Sequence, residues 1–167
     1  MKNSGMSQIE RNRKNLSVKT MYFNRYLLVR YVSSLFFFTN LYWLILLGMS
    51  KSSLFLIPVV LLIVFVVSAA EQVKIFSSHT NNAKYTKYYF YIQLVTNIIL
   101  LFPTYLSSTF TIFYPFLIEK EQSKLFIIAI LMIGIFLSAI IVKRLHSIQH
   151  NEDKQYECIK EYEEAIY

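Results

Sequence analysis

Leu125–Val142 reads LFIIAILMIGIFLSAIIV, eighteen residues without a charge, closed by Lys124 on one side and by Lys143 and Arg144 on the other. A helix crossing about 30 Å of hydrocarbon needs roughly 17–25 mainly apolar residues. This run meets that length and is sharply bounded by cations at both ends. Working outward from it, three more uncharged windows appear. Tyr31–Ser50 (YVSSLFFFTNLYWLILLGMS) lies between Arg30 and Lys51. Leu54–Ala70 (LFLIPVVLLIVFVVSAA) stops at Glu71. The remaining window starts at Tyr88 and stays uncharged to Ile118, too long for one upright helix, so its span is placed at 88–106, ending just past Pro103.

The whole chain has 167 residues, 55% hydrophobic and 17% aromatic, and its charges collect in short stretches between the long uncharged ones. A single small core has no room for that much apolar surface, and the segregation of charge identifies lipid as the solvent. A lipid-exposed β-barrel needs alternating polar and apolar positions in many short segments, and these runs do not alternate. Backbone groups in hydrocarbon must be satisfied within each segment, which leaves the α-helix. The expected fold is therefore all-α: a four-helix transmembrane domain over 31–142 (31–50, 54–70, 88–106, 125–142), preceded by a basic segment 1–30 and followed by an acidic tail 143–167. Some thirty residues precede the first span and no small-residue cleavage site ends it, so it is expected to persist in the mature protein.

Orientation follows from the distribution of Lys and Arg, which are enriched on cytoplasmic flanks. Seven lie before the first span, three in the loop after the second (Lys74, Lys84, Lys87) and four in the tail, against three on the other side (Lys51, Lys120, Lys124). Fourteen against three places both termini in the cytoplasm. Arg25, Arg30, Lys143 and Arg144 read as interfacial anchors whose long stems reach anionic headgroups. Cys158 is the single cysteine, so no intramolecular disulfide forms, in keeping with a reducing compartment.

The flanking segments carry their own expectations. Residues through about Asn15 read as polar and mobile. LSVKTMYFNRYLLVR, Leu16–Arg30, mixes Tyr22, Phe23, Tyr26 and Leu27 with cations and suits a helix at headgroup level. From Asn151 the tail turns acidic; Tyr156, Ile159, Tyr162 and Ile166 recur at helical spacing, but two or three apolar contacts seldom stabilise a helix, so the expectation is a solvated tail. Between the third and fourth spans, Phe110, Phe113, Tyr114 and Phe116 are expected in an interfacial loop turned by Pro115, with a re-entrant element lining a cavity as the alternative.

Chemistry-bearing constellations are scarce. No Asp, Glu, Lys, Arg or His falls inside any of the four spans, which argues against proton relays and coupled transport. His146 and His150 share a helix face at i, i+4, but no third ligand or HExxH glutamate accompanies them, and His79 stands alone in a loop. Serines and threonines such as Ser33, Ser34, Thr39, Ser107 and Ser108 have no nearby base. No catalytic, cofactor or metal site is expected, and no nucleic-acid reader motif accompanies the basic cluster. The most informative side chains are the amides Asn40, Gln93 and Asn97. Gln93 and Asn97 share a face, and Asn40 and Asn97 lie equally deep in parallel spans, so a direct Asn40–Asn97 bond is expected, with Gln93 coupling more weakly. Gly134 and Ser138 form a small-xxx-small pair that permits close helix contact.

YFNRYLLVR at Tyr22–Arg30, followed by Phe36-Phe37-Phe38-Thr39-Asn40-Leu41-Tyr42-Trp43, resembles small uncharacterised four-helix membrane proteins of Gram-positive bacteria, some of them labelled as phosphotransferase (cellobiose) associated. The resemblance covers the first span and its approach and implies a bacterial plasma membrane. It implies no residue-level activity, since a soluble phosphotransferase subunit needs a phosphorylatable histidine in a folded cytoplasmic domain and this chain has no room for one. The expected function is a non-enzymatic membrane accessory or regulatory subunit, with the anionic bilayer and a membrane-protein partner or second copy as its contacts. The alternative is a small oligomeric channel or carrier with a polar path at Asn40, Gln93 and Asn97.

Overall fold

The computed structural model describes the backbone of residues 2–78 and 81–166; His79 lies outside them. All regular elements among the described residues are helical: α1 (Lys2–Arg25), α2 (Leu27–Met49), a 3-10 turn (Ser53–Phe55), α3 (Leu56–Ser78), α4 (Lys84–Tyr105), α5 (Ser107–Phe113), α6 (Glu121–His150) and α7 (Lys154–Ile166). The helical stretches Leu27–Met49, Ser53–Ile75 and Glu121–Glu164 are long and apolar enough to cross a membrane. Four spans were expected from the sequence. The third, now α4, falls short of the other three because Gln93, Asn97, two lysines and a run of tyrosines dilute its hydropathy.

The expected spans sit inside longer helices. α3 runs eight residues past Ala70, and α6 extends beyond its apolar run at both ends. A charge ends a lipid-compatible window but not a helix, whose backbone hydrogen bonds continue into the aqueous zone. Pro58 falls in the first turn of α3, where its missing N–H costs nothing. Pro103 sits in the last turn of α4, where Thr104 Oγ1 donates to Leu100 O at 2.7 Å and the helix stops two residues later. Between α2 and α3 the chain turns through Lys51 (φ 51°) and Ser52, whose hydroxyl accepts from Leu54 N.

The helices α2, α3, α4 and α6 close a ring, each packed on the next; α4 and α6 pack most extensively, and α6 and α2 least closely. The polarity of this ring is inverted relative to a water-soluble domain. Ser33, Asn40, Ser68, Thr86, Gln93, Asn97 and Ser138 are buried, while Phe38, Val60, Ile63, Val66, Ile99, Phe102, Ile133 and Phe136 are exposed. Such a surface is stable only against lipid or protein. Inside, aromatic rings form a continuous layer at the level of Phe36: Phe36 meets Phe90 at 6.0 Å, Phe90 meets Tyr89 at 5.3 Å, and Tyr89 meets Phe65 at 5.7 Å.

Three segments depart from expectation. Residues 2–15, read as mobile, belong to one continuous helix with 16–25. The acidic tail is not a solvated extension: α7 packs against α1 and buries Ile159 to 1% exposure. The aromatic segment after α4 is not an interfacial loop but a short helix folded onto the ring, with Phe110 and Tyr114 buried among Leu100, Ile127 and Leu131 and only Phe113 and Phe116 half-buried. In each case a partner surface supplies the burial that the isolated segment lacks.

The turn from α3 into α4 is held by Glu71. Its Oε1 accepts from Tyr85 N at 3.1 Å, and its Oε2 accepts from Thr86 N at 2.7 Å and Thr86 Oγ1 at 2.8 Å. Ala83, at the N-cap of α4, has no side chain to do this. The carboxylate therefore caps the next helix from a distance and meets the positive end of its dipole. Glu71→Gln, which keeps one acceptor oxygen, is expected to cost about 1 kcal/mol, and Glu71→Leu about 1–3 kcal/mol. Reversible unfolding in bicelles measures both, and equal losses would show that the charge and the second acceptor contribute nothing.

Candidate functional site

The breaks α1/α2, α3/α4 and α6/α7 meet at one end of the ring, and Arg25 sits among them. Its side chain is fully buried. Nε donates to Asp153 Oδ1 at 3.1 Å and Oδ2 at 2.9 Å, and Nη2 closes a second, very short contact to Asp153 Oδ1. Nη1 donates to Asn81 Oδ1 at 3.0 Å; Nη2 also donates to Asn151 Oδ1 at 2.9 Å and to Ile148 O at 3.2 Å. The guanidinium lies 4.8 Å from the centre of the Tyr156 ring. The planar guanidinium of α1 is thus engaged on all three nitrogens by the α3/α4 loop and the α6/α7 turn together.

Each partner is placed by local geometry. Asn151 adopts the left-handed conformation (φ 57°), and Asn151 N and Glu152 N donate to Ile148 O and Ser147 O, the two bonds of a Schellman stop to α6. Asn tolerates that conformation and still presents an amide, which accepts from Arg25 and from Asn81 Nδ2 at 2.7 Å. Asp153 begins α7, its carbonyl accepting from Tyr156 N at 2.9 Å. Burial pushes the Asp153 carboxyl up, but its hydrogen bonds from Arg25, with the charges of Arg25 and Arg144, outweigh this and hold it below the ordinary carboxylate range.

This corrects the reading of Arg25 as a surface anchor: the isolated sequence shows a cation near a span, whereas the fold brings a carboxylate 128 positions away onto it. Arg30 is half-buried, its guanidinium 3.8 Å from the Phe23 ring centre and within reach of Gln72 O. Arg144 donates to Arg25 O and Gln155 Oε1, tying α6 to both flanking helices, while Lys143 remains exposed. The His146 and His150 rings lie 4.4 Å apart on an exposed face, and no cluster of three metal-ligating side chains occurs among the described residues. Cys158 is exposed.

The amides Asn40, Gln93 and Asn97 do come together, in a different order from the one expected. Asn40 Nδ2 donates to Gln93 Oε1 at 3.0 Å, and Gln93 Nε2 donates to Asn97 Oδ1 at 3.3 Å. Gln93, not Asn97, bridges α2 and α4, because its longer side chain crosses the ring while Asn97 turns towards α6. Gly134 makes that possible: a Cβ there would stand 2.5 Å from Asn97 Nδ2. The small-xxx-small pair therefore serves contact within the chain. The sequence reading missed Gln72, whose Nε2 donates to Ser33 Oγ at 3.1 Å and Ser68 Oγ at 3.3 Å, because the window of the second span had been closed at Ala70.

On the side away from the termini, the amide chain borders a cavity of about 490 Å³ between α2, α4 and α6, covered by Tyr114, Phe116 and Leu117. Its lining contains no ionisable acid or base apart from tyrosine. Phe36, whose ring meets Phe90 at the aromatic layer, belongs to its lining. No protein-family model, curated protein or solved structure matches the chain.

Removing either partner of the Arg25–Asp153 pair leaves the other unpaired, so Arg25→Met is expected to cost about 3–5 kcal/mol and Arg25→Lys nearly as much, since an ammonium cannot span the same acceptors. The depressed Asp153 carboxyl contributes stability above its unfolded pKa of about 4 and loses it as pH falls through the lower folded value. Spin labels at Cys158 and at a cysteine replacing Lys14 are expected to separate only below about pH 4 in the otherwise native chain and already at neutral pH with Asp153→Asn. Distances indifferent to both acid and the substitution would contradict this account.

For the amides, a double-mutant cycle on Asn40→Leu and Gln93→Leu is expected to give a coupling of about 0.6–1.7 kcal/mol, with Asn40→Leu and Asn97→Leu close to additive. The reverse ranking, measured by unfolding in bicelles, would restore a direct Asn40–Asn97 bond.

Proposed function

We propose that this chain is a non-enzymatic integral membrane subunit of a bacterial plasma membrane, with α2, α3, α4 and α6 crossing the bilayer and both termini in the cytoplasm. Its work is done by α1 and α7, a basic and an acidic helix clasped together and presented to a membrane-protein partner. The observation that carries this reading is the Arg25 hub, a buried ion pair that fixes α1 and α7 to every helix break on one side of the ring. A pair of cytoplasmic tails needed only for insertion has no use for so specific an anchor. The clasp leaves Ile9, Arg13, Lys14 and Leu16 exposed along α1, a mixed apolar and cationic surface of the kind a partner covers. α4, although more polar than the other three helices, fits a crossing position because its amides face the interior of the ring and its exposed residues beyond Lys84 are aromatic or aliphatic.

The alternative, a small channel or carrier along Asn40, Gln93 and Asn97, draws support from the cavity beside those amides. The aromatic layer beneath it speaks for the subunit reading, since a conduction path would have to pass Phe36, Phe90 and Tyr89.

One experiment addresses both topology and partner. In a Cys158→Ser background, cysteines replacing Lys14 and Lys154 are expected to resist a membrane-impermeant thiol reagent in intact cells, while those replacing Ser53 and Gln122 react. A photo-crosslinker at Lys14 is then expected to capture one discrete membrane protein, and to lose it when Asp153→Asn loosens the clasp. Labelling of Lys14 and Lys154 positions from outside would reverse the topology, and solute flux in proteoliposomes without any crosslinked protein would favour the carrier.

A further inference from the structure

The cavity beside the amide chain has properties that the subunit reading leaves unused. Phe36 of the aromatic layer lines it towards the termini, and Tyr114, Phe116 and Leu117, the residues that follow α5, line it on the opposite side. Its remaining opening is lateral. Tyr42 and Leu46 of α2, with Phe126 and Ile130 of α6, line the cavity and are also exposed on the outside of the ring. This is the seam between the two neighbouring helices that pack least closely. A molecule entering there comes from the surface that faces lipid, so it must itself dissolve in hydrocarbon.

The lining defines the chemistry of such a molecule. With no Asp, Glu, Lys, Arg or His in the wall, nothing compensates a ligand charge. A volume of about 490 Å³ suits a small amphiphile or the headgroup and first carbons of a larger one. Two polar groups in the wall are unmet: Trp43 Nε1 and the Tyr114 hydroxyl are buried without a hydrogen-bond partner. An indole N–H is a donor only, so its complement is an acceptor. Tyr114, whose ring stacks on Trp43 with centroids 6.5 Å apart, adds a hydroxyl on the same wall; Thr104 beside it already donates to Leu100 O. The amides Asn40 and Gln93 bond to each other, which leaves the Trp43 N–H, with the Tyr114 hydroxyl beside it, to read the ligand.

We propose that this cavity is a binding site for a neutral, membrane-dissolved amphiphile bearing a carbonyl acceptor, admitted between α2 and α6 and held by the Trp43 N–H beneath the Tyr114 cover. The site is independent of the cytoplasmic clasp and stands whether or not α1 and α7 hold a partner.

Trp43 is the single tryptophan of the chain and reports on its own site. The protein in nanodiscs is titrated with a decyl-substituted 1,4-benzoquinone, a neutral probe with two carbonyls, and in parallel with decylbenzene and decanoate. Saturable quenching of Trp43 by the quinone is expected, accompanied by a rise in melting temperature that neither control produces. Trp43→Phe keeps the ring and removes the donor, and is expected to weaken the quinone-dependent melting shift by an affinity factor of about 3–10. Tyr114→Phe serves as the second variant if Trp43→Phe fails to fold, with a smaller loss in the same direction. Quenching that rises linearly without saturation would reduce the effect to partitioning into lipid and overturn the proposal. So would a saturable effect of decylbenzene equal to that of the quinone, which would mark the cavity as an acyl-chain niche, or full affinity in folded Trp43→Phe and Tyr114→Phe.

Discussion

A guanidinium withdrawn from water carries five N–H donors, so the fold around Arg25 has to supply acceptors in place of water. That constraint organises the whole end of the molecule where the termini lie. A buried cation with one carboxylate partner is costly; with a bidentate carboxylate, two side-chain amides, a helix-end carbonyl and an aromatic face it is tolerated, and the geometry becomes specific. These contacts require α6 to stop at Asn151 in a left-handed turn, Asp153 to stand just before α7, and the α3/α4 loop to bring Asn81 alongside. The register of α7 on α1 follows from the same anchor, since Tyr156 and Ile159 lie one and two turns beyond Asp153 on the side facing α1.

The opposite half of the ring obeys a different rule. A buried amide away from water needs a partner, so Asn40, Gln93 and Asn97 solvate one another in sequence across α2 and α4, and Gly134 on α6 yields the space for the last of them. Such bonds are modest in energy because the chain also finds partners when unfolded in lipid. Their consequence is geometric: α6 comes close to α4 and stands off from α2, and the space left between α2, α4 and α6 is the cavity. The helix α5 and the residues after it cover that space with the aromatic surface that hydropathy alone assigns to a membrane interface.

How far these features are legible in the sequence depends on the range of the interaction involved. Long uncharged runs reveal helices because the requirement they meet is local, and the positions of α2, α3 and α6 follow from it within a few residues at their apolar cores. That Asn40, Gln93 and Asn97 fall near one another along their helices is legible for the same reason, since residues of helix translate directly into distance. Which of them bond is not, because that depends on side-chain length and on the rotation of α4, and the latter is set by Gly134 on a helix that is distant in sequence. The Arg25–Asp153 pair is wholly illegible in this sense: each residue alone resembles a flank charge, and only the fold joins positions 25 and 153.

The same reasoning explains why α7 misleads. Its sequence has the amphipathic spacing of a helix and too little apolar area to hold one, so on local grounds a solvated tail is the sound expectation. What changes the outcome is an ion pair at its first turn that removes most of the entropy of docking, after which burial of Ile159 and the partial cover of Tyr156 and Tyr162 need supply only the remainder. The acidic face of α7 then lies beside the basic α1, where Glu163 is near enough to act on Tyr22. A helix with so little apolar area of its own depends on the Arg25–Asp153 pair for its place in the fold, in a way that the apolar ring does not depend on any single contact.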